Sequence, residues 1–173
     1  MKIYIVGIVA SGKTTLARRW SQALNIPFYE LDCIVYGKKE GERYKRTPQK
    51  QQAIIQKIDQ KGEWIIEGTY RKNCHYLLDL ADKIVFLDTP PWKRNVRILS
   101  RHIKQVCGME KCHYRPSLCM VKSMYSWSSD FEKKREKFEA MLLKYGHKLV
   151  LVRTNKEVYT PNNEALCFKK VKN

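Results

Sequence analysis

A chain of 173 residues that is 43% hydrophobic and 29% charged has the size and composition of one ordinary globular α/β domain. Its longest apolar runs are only strand-length, which excludes a helical membrane protein and a disordered one. Thirty-four Lys and Arg against seventeen Asp and Glu give +17, a field that favours polyanions without choosing among them, and residues 91–137 alone hold twelve basic and four acidic side chains.

Lys2 to Val6 is a short Ile/Val-rich run closed by Gly7, which reads as a buried first strand. It leads straight into a glycine-rich motif and leaves no room for a cleavable leader, so a cytoplasmic location is expected, with no membrane partner. The six cysteines (Cys33, Cys74, Cys107, Cys112, Cys119 and Cys167) are then expected to be thiols. Lys13 to Leu24 follows as an amphipathic helix with Leu16, Ala17, Trp20 and Leu24 on one face. Phe28 to Leu31 is a second strand with Asp32 at its carboxyl end, and residues 33–47 form a polar, basic excursion over the sheet. Pro48 starts a helix to Gln60, with Ile54, Ile55 and Ile58 inward.

Trp64 to Glu67, Lys83 to Leu87 and Lys148 to Val152 supply the third, fourth and fifth strands. Short apolar strands alternating with helices imply a parallel sheet covered on both faces, which binds ligands outside its carboxyl edge. Asp32, Glu67 and Asp88 all fall at that edge. The insertion before the last strand, about sixty residues, exceeds a simple crossover and implies extra helices and a lid. Its first helix, Trp92 to Val106, sorts into an apolar stripe (Trp92, Val96, Leu99, Ile103, Val106), expected to pack, and a basic one (Arg94, Arg97, Arg101, Lys104). Ser129 to Glu132 has the form of a capping box ahead of a helix whose seam is Phe131, Phe138, Met141, Leu142 and Tyr145.

The segment Gly7-Ile8-Val9-Ala10-Ser11-Gly12-Lys13-Thr14 matches G-x-x-x-x-G-K-[ST]. The pattern works because successive backbone N–H groups turn inward on polyphosphate at a helix N-terminus whose dipole favours anions. Lys13 is expected at the β- and γ-phosphates and the Thr14 hydroxyl on magnesium; Gly7, Ala10, Ser11, Gly12 and Thr15 complete the expected ATP contacts. A GTPase would need Asp-x-x-Gly and Asn-Lys-x-Asp, but Asp88-Thr89-Pro90-Pro91 and Asn155-Lys156-Glu157-Val158 each fail at the last position. A motor or helicase needs a longer chain. What remains is the small-kinase plan.

Met1 to Gly7, Phe28 to Asp32, Trp64 to Arg71 and Ile84 to Pro90 resemble the adenylate-kinase-like P-loop proteins labelled DNA topology modulation protein, FlaR-related, and the likeness runs over about residues 1–155. The resemblance implies a five-stranded parallel sheet in the order 2-3-1-4-5 and ATP binding; with the chain length and the long insertion, the expectation is one α/β domain over 1–173 with a three-layer P-loop NTPase fold, adenylate-kinase-like, and a helical lid at about 92–130. By analogy with such lids, Arg97 and Arg101 are expected to neutralise charge on the transferring group, and Asp32 to orient or deprotonate an acceptor hydroxyl, as an aspartate there does in related kinases. Glu67 is expected to bind the acceptor or a magnesium-bound water, Arg71 to clamp an acceptor anion, and Asp88 to hold magnesium through a water. The Cys107, Cys112, His113, Cys119 spacing fits a structural zinc site only in its first part, so thiols are preferred.

A kinase passing the γ-phosphoryl of ATP to a nucleotide, nucleoside or other small acceptor is thus the leading expectation. A nucleic-acid-binding regulator with a nucleotide-responsive fold is the alternative, suggested by +17 and by the family label.

Overall fold

Ile3, Tyr4, Ile5 and Val6 alternate between the two faces of one strand, so both faces need cover, and all four have no exposed surface. The computed structural model describes residues 1–109 and 117–153. In chain order the elements are β1 (Lys2–Gly7), α1 (Lys13–Leu24), β2 (Phe28–Glu30), α2 (Leu31–Val35), β3 (Tyr36–Lys39), β4 (Glu42–Lys45) and α3 (Pro48–Asp59). They continue with β5 (Trp64–Gly68), a 3₁₀ turn at Lys72–Cys74, α4 (Tyr76–Leu80), β6 (Lys83–Leu87), α5 (Pro91–Val106), α6 (Leu118–Leu143) and β7 (Leu149–Val152).

The main sheet runs β2-β5-β1-β6-β7 with every pair parallel, which is the expected 2-3-1-4-5 order. On one face Tyr4, Val6, Ile66 and Phe86 pack against Leu31, Ile55, Leu77 and Leu142 from the helices. On the other, Ile3, Ile5, Ile65, Val85 and Leu87 pack against Leu16, Ala17 and Trp20 of α1. β1 is central, so its carboxyl end is flanked by the ends of β5 and β6. Among the described residues no helix is long and apolar enough to cross a membrane.

The sequence reading is corrected at several points. Asp32 does not end a strand; β2 stops at Glu30 and Asp32 lies in the first turn of α2. The excursion at 33–47 contains a regular hairpin, β3 against β4, turning at Glu40 and Gly41, both with positive φ (53° and 85°), as a tight hairpin turn of matching twist requires. Ser129 to Glu132 caps nothing. α6 already starts at Leu118, where the Ser117 side chain accepts from the Met120 N–H.

The largest correction concerns α5. Its residues do sort into two stripes, but the apolar one faces water: Trp92, Val96, Leu99, Ile103 and Val106 are each more than half exposed. The basic stripe turns inward at Arg94, Arg97 and Arg101, while Lys104 is exposed. Arg94 is wholly buried and donates to Glu132 on α6. Arg135, one turn along α6, bonds Glu132 and Glu139 and reaches Asp88 at the end of β6 at 2.6 Å. A guanidinium buries where carboxylates meet it, and this chain of ion pairs decides which face of α5 turns in.

Removing Arg94 leaves a void and takes one cation from Glu132. Arg94→Ala is therefore expected to cost about 3 kcal/mol, and Arg94→Met distinctly less because it fills the space while Glu132 keeps Arg135. Urea unfolding of the two variants measures the difference.

Candidate active site

The loop after β1 is closed. Gly7 has no room for a side chain, since a Cβ there would lie 2.9 Å from Ser11 Oγ and 3.0 Å from the Leu87 carbonyl oxygen. Gly12, just ahead of α1, has φ of 98°, where any other residue is strained. No side chain caps α1 and its first turn has no acidic residue, so its N–H groups and positive dipole end stay available to an anion. Lys13 is buried and its Nζ donates to the Ile8 carbonyl oxygen at 2.8 Å.

Behind the loop, the Thr14 hydroxyl donates to Glu67 Oε1 at 2.7 Å. Glu67 is 5% exposed, and burial pushes its carboxyl above the usual range, against the pull of Lys13 and the Thr14 hydroxyl. Burial in turn lowers the Lys13 ammonium; Glu67 and Asp32 oppose that and Arg101 adds to it. Thr14 with a carboxylate beside a phosphate cup is an oxygen donor set that suits a hard cation.

The cup opens into a cleft of about 670 Å³, bounded by Ile8, Val9, Ala10, Lys13 and Thr14 on one side. Asp32, Tyr36, Lys38, Arg43, Glu67 and Arg71 line it from the β2–β5 side, and Arg101, Met120, Met124 and Trp127 from α5 and α6. Asp32 and Arg71 meet, with Arg71 Nη2 donating to Asp32 Oδ1 at 2.8 Å. The structure thus brings Lys13, Thr14, Asp32, Glu67, Arg71 and Arg101 to one cleft.

Arg97 and Asp88 stand apart from it. Arg97 Nη1 donates to the Ser11 and Ala10 carbonyl oxygens at 2.8 and 3.3 Å, gripping the loop by its carbonyls, and Thr89 Oγ1 donates to the same Ser11 oxygen at 2.9 Å. Within the loop the Ser11 N–H donates to the Ile8 carbonyl oxygen at 3.3 Å, and Ala10 has a left-handed φ of 58°. Asp88 Oδ1 receives Arg135 instead of facing the cup. Thr15 is the third residue of α1 and is exposed.

Cys33, Cys74, Cys107 and Cys119 are free thiols, and the described residues contain no cluster of three or more His, Cys, Asp or Glu suited to a metal ion. Cys112, His113 and Cys167 lie outside the described residues. Sequence reasoning missed Tyr36, Lys38 and Arg43, because the hairpin turn is Glu-Gly where Asn-Gly or Asp-Gly would have marked it. It also missed Thr89, Met120, Met124 and Trp127. The alternation of basic side chains through Lys38, Arg43 and Lys45 was the available signal.

No known family profile matches the chain. Among curated proteins, the shikimate kinase of Aquifex aeolicus (strain VF5) is 38% identical over 84 residues, which are 48% of this chain and 41% of that protein. The match spans less than half of either chain. Three solved structures share the fold: a shikimate kinase from Acinetobacter baumannii in complex with shikimate (TM-score 0.52, 18% identity, 95% of this chain and 86% of that one), a gluconokinase from Sinorhizobium meliloti 1021 (0.52, 16%, 89% and 82%), and a shikimate kinase from Bacteroides thetaiotaomicron (0.51, 15%, 88% and 85%). The chain has the three-layer α/β fold of P-loop kinases.

With its folded value raised, Glu67 contributes stability that is complete below its unfolded pKa and is lost as pH rises through the folded one. Glu67→Gln is expected to raise the nucleotide-free melting temperature by about 2–4 °C near pH 7, with the gap closing towards about pH 4. Thermal melts across that range test the sign; a gap independent of pH contradicts it.

Proposed function

We propose that this chain is an ATP-dependent small-molecule kinase that needs magnesium and moves the γ-phosphoryl group of ATP to an acceptor held beside Asp32. The observation that carries the reading is a closed phosphate-binding loop on an uncapped helix N-terminus, opening into the same cleft as the Asp32 and Arg71 pair. The kinase fold of the compared structures and the curated shikimate kinase support it.

In this reading the loop amides, Gly7 to Thr15, and Lys13 bind the polyphosphate, and Arg101 adds charge at the transferring end. Thr14 is the residue that would ligate magnesium, with Glu67 beside it holding the ion's water; magnesium neutralises phosphate charge when bound. The carboxylate assigned to this task moves from Asp88 to Glu67, because Asp88 is engaged by Arg135. Arg97 acts through the loop it grips and is a positioning residue. Asp32 accepts the proton of the acceptor hydroxyl as that oxygen bonds to the γ-phosphorus, the bond to the β–γ bridging oxygen breaks, and ADP leaves.

The single domain over 1–173 with a lid at 92–130, the cytoplasmic location and the absence of a membrane partner belong to the same proposal. So does membership of the DNA topology modulation group, which the stretches around Asp32, Glu67 and Asp88 suggest at a finer grain. A nucleic-acid partner rests on the +17 and on the label of the resembling group, and part of that charge is turned inward, as Arg94 and Arg97 are.

Lys13→Ala is expected to lower both ATP affinity and ADP release by about 100-fold or more, while Asp32→Asn lowers acceptor-dependent release by about 100-fold and leaves ATP affinity in place. Nucleotide titration and a coupled ADP assay separate the two. Unchanged ATP affinity and rate in Lys13→Ala would overturn the kinase reading. Duplex DNA affinity that is tight and falls steeply with salt would favour the regulator.

A further inference from the structure

On the acceptor side of the cleft Lys38, Arg43, Arg46 and Arg71 stand against Glu30, Asp32 and Glu67, and two of the guanidiniums converge on one ring of the β3–β4 hairpin. The Arg43 guanidinium lies 4.0 Å from the centre of the Tyr36 ring, and that of Arg71 lies 5.7 Å from the same ring. Two guanidiniums on one ring repel each other, and a third charged group must offset that cost. Asp32 does so in part, through one contact with Arg71 at 2.8 Å. The buried Nε of Arg71 has no hydrogen-bond partner among the described residues, and no carboxylate there lies within ion-pair distance of Arg43 or Lys38.

The hairpin is also held rigidly at its base. Arg46 Nη1 donates to the carbonyl oxygens of Cys33, Ile34 and Tyr36 at 2.6, 2.8 and 2.7 Å, so this cation is committed to the backbone and fixes where Tyr36 stands. Arg46 positions; Arg43 and Lys38 are left to meet a ligand. A rigid mount for unsatisfied donors is what recognition of a fixed anionic group requires.

We infer that the hairpin selects the acceptor, and that the acceptor is a small hydroxylated anion whose carboxylate or phosphate is bound by Arg43 and Arg71 beside the Tyr36 ring. This rests on the kinase reading above. Arg71 touches Asp32, so the group that takes the anion adjoins the group that takes the hydroxyl proton. The hydroxyl and the negative group of the acceptor therefore stand only a few bonds apart. Nucleosides and free sugars lack the anion and are poor acceptors.

The test compares charged probes with uncharged counterparts, using full-length protein, ATP and magnesium. Shikimate and gluconate form a carboxylate arm, set against methyl shikimate and glucose; glycerol 3-phosphate and AMP form a phosphate arm, set against glycerol and adenosine. ADP release is measured, and thermal shift with a non-hydrolysable ATP analogue reports binding. At least one charged probe is expected to act or bind about tenfold or more better than its neutral partner, and the arm in which it falls identifies the anion.

For that probe, Arg43→Gln is expected to raise KM about tenfold with kcat little changed, Arg43→Lys to recover part of the loss, and Lys39→Gln, on the exposed end of the hairpin, to change nothing. No preference for charge in either arm, or an Arg43→Gln enzyme with unaltered KM, overturns the inference. If the analogue binds wild type but not Lys13→Ala and charge preference is still lacking, only the acceptor class falls; if the analogue does not bind at all, the kinase reading falls with it.

Discussion

A strand with no water on either face can end only at the edge of its sheet, and β1 ends there in a loop whose first residue has no space for a side chain. From that one crowding the rest of the cleft takes its bearings. Because β1 runs between β5 and β6, Glu67 is delivered to one side of the loop and Asp88 to the other. A side chain at Gly7 would displace the Leu87 carbonyl and Ser11 together. The sheet is thus the ruler against which Lys13, Thr14 and Glu67 are spaced.

Charge, more than apolar packing, orders the layer beyond the sheet. Arg94, Glu132, Arg135, Glu139 and Asp88 form one connected set that fastens α6 to α5 and to the end of β6. Arg97 then fastens α5 to the loop. Within the cleft the same physics works differently. Lys13 and Glu67 are both buried, each shifts the other towards its charged form, and burial shifts both towards neutrality. Such a pair is held short of full stabilisation, which suits groups that await a polyanion and its cation.

The main sheet was legible because buried parallel strands leave an unmistakable trace: short Ile/Val-rich runs closed by Gly7, Gly68 or Asp88. The loop was legible because its chemistry depends on spacing. Facing was not. The rule that apolar stripes turn inward failed on α5, since the carboxylates that draw Arg94 inward and anchor its surroundings lie on α6 and β6, and periodicity within one helix carries no information about them. Asp32 was placed at the right edge but on the wrong element, because a strand of three residues followed at once by a one-turn helix has no break between them. Arg43 escaped notice because one cation in a basic stretch looks like any other until Tyr36 is seen beneath it.

The outward stripe of α5 bears on how the molecule behaves among its own kind. Trp92, Val96, Leu99, Ile103 and Val106 recur at spacings of four and three, the rhythm of helix seams, yet in this arrangement they meet solvent. Contact between two such seams is opposed by the long-range repulsion between bodies that each carry +17. Added electrolyte shortens the reach of that repulsion to about 10 Å at 0.1 M and leaves the apolar attraction intact. Colloidal stability of this protein is accordingly expected to be greatest in dilute buffer and to decline as ionic strength climbs, the reverse of ordinary salting-in.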